Sequence, residues 1–267
     1  MDFLGVDFSG NAAQWRSKVN TPTVWIARLS DEDRPVVTCL LPAQDLPGSD
    51  DVFIRLATLL RAGKFIAAGI DAPFSVPTAA MPAGGWTRLV AMNDALPHCG
   101  RPFPKAPVFL KALNQLTPAQ QWRRTEEYWR QQGINVRSST WWKPRGGAPF
   151  ATACLKLIAS SGPRPCWPWN TDQRGMLVEA FPAAQLKQWG IEYQRYNGDQ
   201  GAEARRRIVA ALAKKVRFGE ECGKVLGSAD ALDAVLAAFA AIAAWRKTEV
   251  PRERDWPADE GCIAVHT

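Results

Sequence analysis

Five acidic residues in this sequence stand where they could work together: Asp7, Asp71, Glu179, Asp230 and Asp233. The first three close, or nearly close, short apolar runs: "FLGVD", "FIAAGID" and "MLVE". The last two lie three apart at the head of "SADALDAVLAAFAAIAAW", which carries no charge for the twelve residues after Asp233. Carboxylates are rarely buried without a partner. A cluster of them stays ionised only if positive charge enters it. Mg²⁺ or Mn²⁺ suits a ligand set made of hard carboxylate oxygens. Two such ions ~3.5–4 Å apart can activate a water and stabilise the leaving oxygen of a phosphodiester. Local roles remain open beside this one. Asp7 before Ser-Gly and Asp71 before Ala-Pro suit turns. Asp230 suits the start of a helix, and Asp233 could face water.

Other chemistries have little to draw on. There are two histidines, His98 and His266, and six cysteines with no CxxC pair. A histidine-based zinc site or a Ser-His-Asp triad is therefore not expected. Scattered thiols fit a reducing compartment. The opening "MDFLGVDFSG" has neither a basic nor a long apolar leader. The longest uncharged apolar run is too short for a bilayer. The expectation is a soluble, cytoplasmic protein without a membrane partner.

The elements that must position the acids follow from pattern. Strands are expected at "FLGVDF", Thr23–Leu29 and Pro35–Leu41, joined tightly enough for an antiparallel meander. A helix follows over Ser49–Gly63, with Ser49 placed to cap it and Gly63 to end it. Lys64–Asp71 reads as a buried fourth strand. After a long irregular stretch, Gly175–Phe181 reads as a fifth strand. Helices are expected from Pro182, over Gly201–Val216 and over Ser228–Lys247, and the tail "GCIAVH" could add a strand. The sum is an α/β fold. Its five-stranded mixed sheet has three antiparallel strands, then parallel ones, flanked by helices. Ligand sites in such sheets lie beyond the carboxyl ends of the strands, where three of the acids sit. On the last helix, Leu232, Val235, Leu236, Phe239 and Ile242 form one face. The aspartate side continues with Ala237, Ala240, Ala241 and Ala244 instead of charges, so both sides should be covered.

The region 72–174 differs from the rest. It holds 13 Lys/Arg against 4 Asp/Glu, and 7 of the 12 tryptophans and 13 of the 20 prolines. The remainder carries 20 Lys/Arg and 22 Asp/Glu. We read 72–174 as an insertion between strands 4 and 5 of one domain spanning 1–267. It should contain helices near Thr117–Gln132, with Pro118 at the start, and around Phe150–Ala159. A basic, aromatic surface suits nucleic acid, although a solvated face over a tryptophan core reads as well from the same counts.

The motifs "GVDFSG", "GIDAPFSVP", "VEAFPAAQLKQWG" and "SADALDAVLAAFAA" resemble those of the family catalogued as domain of unknown function 429. Its members are inferred to be ribonuclease-H-like nucleases. The Asp230/Asp233 pair is also similar to the last-helix acidic pair of Holliday-junction resolvases of that superfamily. The resemblance implies a ribonuclease-H-like fold with Asp7, Asp71, Asp230 and Asp233 as metal ligands. Glu179 belongs to the family's own pattern, and it could orient water. Strand 4 carries Asp71 where the resolvases have glutamate.

Three functions compete at this level. The first is a metal-dependent nuclease acting on DNA or RNA. Its candidate phosphate contacts are Arg123, Arg124, Lys143 and Arg145, with Trp141 and Trp142 as stacking surfaces. The second is a nucleic-acid-binding protein that keeps the fold without the chemistry. The third is an ATP-dependent phosphotransferase of the actin and sugar-kinase type, whose first phosphate loop "GVDFSG" resembles.

Overall fold

The computed structural model describes residues 1–115, 120–144, 146–250 and 256–267. Its centre is a five-stranded sheet. Strands β1 (Phe3–Asp7), β2 (Trp25–Leu29) and β3 (Val37–Pro42) come first, then helix α1 (Val52–Ala62) and strand β4 (Ala67–Asp71). Between β4 and the fifth strand lie α2 (Gly85–Asp94), α3 (Ala106–Ala112), α4 (Arg124–Gln131) and α5 (Ala148–Ser160). Strand β5 (Met176–Glu179) follows, then α6 (Pro182–Gln188), α7 (Ala202–Leu212), α8 (Cys222–Gly227) and α9 (Ala229–Arg246). Strands β6 (Glu249–Val250) and β7 (Val265–His266) pair in a separate small sheet.

The spatial order is β3-β2-β1-β4-β5. Strands β1, β2 and β3 are antiparallel neighbours, and β1, β4 and β5 run parallel. Side-chain alternation divides the sheet into two faces. Phe3, Ala27, Leu29, Ala67 and Val178 pack with α7 and α9. Leu4, Val6, Ile26, Ala68, Ile70 and Leu177 pack with α1 and α5.

Two glycines set how closely α9 approaches. Gly5 and Gly69 are register partners on β1 and β4. A Cβ at Gly5 would lie 1.9 Å from the Ala234 carbonyl oxygen, and one at Gly69 would lie 1.8 Å from that of Ala237. The helix therefore rests backbone on backbone, and its alanines are small enough to permit it. Its remaining surface meets α6, α8 and β7, so residues Ala234 to Ala244 are all buried. This is the two-sided covering expected from the helical wheel.

Several boundaries differ from expectation. The cap of α1 is Asp51, whose carboxylate accepts from the Ile54 N–H at 3.1 Å, and not Ser49. Gly63 does end the helix, at φ 61°. Strand β4 starts at Ala67, three residues later than expected, although Ile66 already bonds to Asp2 and Gly175 on either side. Helix α4 starts at Arg124, capped through Glu126, and Pro118 lies outside the described residues. The tail strand pairs with β6 and leaves the main sheet at five. Among the described residues no helix is long and apolar enough to cross a membrane.

Candidate metal centre

Parallel pairing of β1 with β4 sets Asp7 directly beside Asp71 in register. Both follow the glycine of their strand by two positions, so alternation turns both toward the α9 side of the sheet. Helix α9 begins just beyond that edge. Ser228 caps it, its hydroxyl accepting from the Ala231 N–H at 3.2 Å. The first turns then present Asp230 and Asp233. All four aspartates line one cleft of about 550 Å³. Asp7 is buried, while the other three are partly exposed to the cleft.

Among the described residues none of these four carboxylates forms an ion pair. Asp233 accepts a hydrogen bond from the Tyr196 hydroxyl at 2.8 Å. Their acidity reflects this crowding. Burial, then the charges of Asp233, Asp71 and Asp230, hold the Asp7 carboxyl well above the ordinary range. Burial pushes Asp71 up to about 7, against the opposing pull of Arg137. Burial pushes Asp230 up to about 6, opposed by Arg205. Asp233 is raised strongly, by burial first and Asp71 second. Burial also raises the Tyr196 hydroxyl, with Asp233 adding to it.

These hard oxygen donors fit Mg²⁺ or Mn²⁺ by chemistry. Their positions do not close a ligand set as they stand. Among the described residues no three His, Cys, Asp or Glu side chains are gathered as a metal site. Carboxylates that repel one another spread apart, and a cation is what would draw them in.

Glu179, the fifth acid, lines the same cleft and adds its charge to the crowding at Asp71, but it is held differently. It pairs in register with Ile70, one residue short of Asp71, so alternation turns it to the α5 face. There it is 2% exposed and fully engaged. Its Oε2 accepts from the Phe74 N–H at 3.0 Å and from Arg123 Nη1 at 2.7 Å, and its Oε1 accepts from Arg123 Nη2. Both of its oxygens thus already accept hydrogen bonds, which fixes the carboxylate in place.

Arg123 lines the cleft as well, and it too is buried. The expected surface phosphate contact is 0% exposed. Besides Glu179 it binds Glu126 through Nε at 3.0 Å and the Glu260 carbonyl through Nη1 at 3.3 Å. A guanidinium fits this bracket because its planar fork serves two carboxylates at once. Arg124 points outward to Glu127, and its backbone N–H binds Glu260 at 2.6 Å. Trp142 is 42% exposed, and Lys143 lies 5.6 Å over the Trp141 ring. None of Arg124, Trp141, Trp142 and Lys143 lines the cleft. Arg145 lies outside the described residues.

Sequence reasoning missed Arg137 and Arg205, which do line the cleft. Arg205 is 4% exposed and is bonded to the carbonyls of Tyr196, Gly198 and Leu226 at 2.6–2.8 Å. The one available signal was an arginine among the apolar positions of α7, in "EARRRIVAAL".

Fold and site together define an α/β protein with an acidic cleft at the carboxyl edge of a mixed sheet. The family model described as "Protein of unknown function (DUF429)" matches residues 5–255, and the chain belongs to that family. No curated protein and no solved structure matches the chain.

Proposed function

We propose that this protein is a divalent-cation-dependent hydrolase of phosphodiesters in nucleic acid, with a ribonuclease-H-like arrangement, acting in the cytoplasm. One observation carries the reading. Four aspartates from three elements share one cleft, none of them forms an ion pair among the described residues, and the charges of Arg137 and Arg205 offset the raised values of Asp71 and Asp230 only in part. Such a cluster costs stability, and it is most simply understood if Mg²⁺ or Mn²⁺ completes it. Asp7, Asp71, Asp230 and Asp233 would hold the ion or ions. When bound, these would make water acidic enough to attack and would shield the phosphate's charge.

The chain's own residues have defined tasks. Asp7 and Asp71, fixed by strand register, give the rigid half of the site. Asp230 and Asp233 supply the other half from the first turns of α9. Tyr196 holds Asp233 in one orientation through its hydroxyl. The free thiols among the described residues suit a reducing compartment.

The test is Mn²⁺ titration followed by thermal melting and by cleavage of labelled single-stranded, duplex and branched substrates. Wild type should melt higher with Mn²⁺ and cut at least one substrate. Asp7→Asn should do neither. Cleavage that survives Asp7→Asn, or melting indifferent to Mn²⁺, overturns the reading. Binding without cleavage would favour the fold serving as a nucleic-acid-binding module.

A further inference from the structure

The cleft that holds the carboxylates also holds positive charge. Arg205 reaches in from α7. Its Nε and Nη1 are tied to three backbone carbonyls, it forms no ion pair among the described residues, and its Nη2 has no hydrogen-bond partner among them. It is thus a nearly buried, rigidly held guanidinium with one donor arm left over. Arg137 lies on the segment between α4 and α5 and is exposed. It lies 5.1 Å over the Phe150 ring and forms no ion pair among the described residues. Its charge acts on Asp71, as that of Arg205 acts on Asp230. Phe150 and Phe181 are partly exposed rings that also line the cleft.

We propose that the cleft takes single-stranded nucleic acid, one or two nucleotides at a time. A phosphate would sit between Arg205 and Arg137, and bases would lie against Phe150 and Phe181. The proposal rests on the hydrolase reading and adds the form of its substrate. The cavity volume and two general properties of nucleic acids favour a single strand. The volume, about 550 Å³, is that of a small-ligand site. A duplex keeps its bases stacked inside, out of reach of recessed rings. Unpaired bases expose faces that stack on aromatic side chains without regard to sequence.

Fluorescence anisotropy tests this with cleavage-resistant phosphorothioate probes. These are an oligothymidylate and an oligouridylate of about six nucleotides, and a blunt DNA duplex. The two short probes separate DNA from RNA. We expect at least one short strand to bind roughly tenfold more tightly than the duplex. Arg137→Ala, at an exposed position that leaves folding intact, should weaken it by about tenfold or more. Phe150→Ala should weaken it by about fivefold or more. Arg205→Lys, judged alongside its melting curve, should also weaken it. Equal affinity for the duplex, indifference to Arg137→Ala, or no binding of any probe overturns the proposal. The two readings fail separately. Arg137-dependent binding of single strands with no cleavage of ordinary phosphodiesters retains this subsite and removes the hydrolase. Cleavage by wild type with no preference for single strands removes the subsite and retains the hydrolase.

Discussion

Two groups of carboxylates lie on opposite faces of the same sheet edge, and they are built on opposite principles. On the α5 face, Glu126 and Glu179 are buried around Arg123, and almost every oxygen has a donor. On the α9 face, four aspartates meet with no ion pair among the described residues and hold their protons to higher pH than ordinary carboxyls. The first arrangement is complete as folded and ties the insertion to the sheet. The second is incomplete as folded, which is what a binding site requires. Acidic residues near a strand end thus say little until their counter-charges are known.

The contrast can be broken most forcefully at Arg123. Arg123→Met leaves two buried carboxylates unpaired and should cost about 3–5 kcal/mol, read from urea denaturation. A loss near zero would mean that the α5-face group is not a structural clamp. The next effect should come from filling the α9-face site. Mn²⁺ at about a hundredfold its Kd should stabilise wild type by about 2.7 kcal/mol, and Asp7→Asn should lose that gain while leaving the Arg123 clamp untouched. Gly69→Ala should cost about 1–3 kcal/mol by forcing α9 off the sheet, and should weaken Mn²⁺ stabilisation as well, read by the same melts.

The pH dependence sharpens the comparison further. Without metal, the folded state holds protons that the unfolded chain releases, because Asp71 is raised to about 7 and Asp230 to about 6 from 3.8. Raised folded values mean stability that is present at low pH and lost as pH rises through them. The metal-free protein should therefore melt higher at about pH 5 than at about pH 8, and Asp7→Asn should flatten that slope. The smallest effect belongs to the surface. Arg124→Ala removes an exposed pair with Glu127 and should change stability by less than about 0.5 kcal/mol.

Much of this arrangement was legible in the sequence. Strand order followed from apolar runs and turn residues, and the four aspartates followed from their places at element ends. The clamp of Glu179 on Arg123 was not foreseen because closeness to a strand end was weighed without strand parity. One residue of offset sends a side chain to the other face. Arg123 was misjudged because nothing in a proline-rich stretch marks which arginine turns inward. Besides Glu126 three residues on, its partners lie 56 and 137 positions away. Helices α2 and α3 were missed for a related reason, since prolines crowd the segments around them. Gly5 and Gly69 looked like ordinary strand glycines, and their meaning came only with the helix that lies on them.

That glycine seat has a consequence for how the protein can change over time or by design. A helix lodged between peptide groups cannot roll or slide to accommodate a new neighbour, as one cushioned by leucines can. The spacing between the two halves of the acidic cleft is therefore set by two absent methyl groups, one on each central strand. Ligand preference is more readily retuned in the surrounding loops than at this axle.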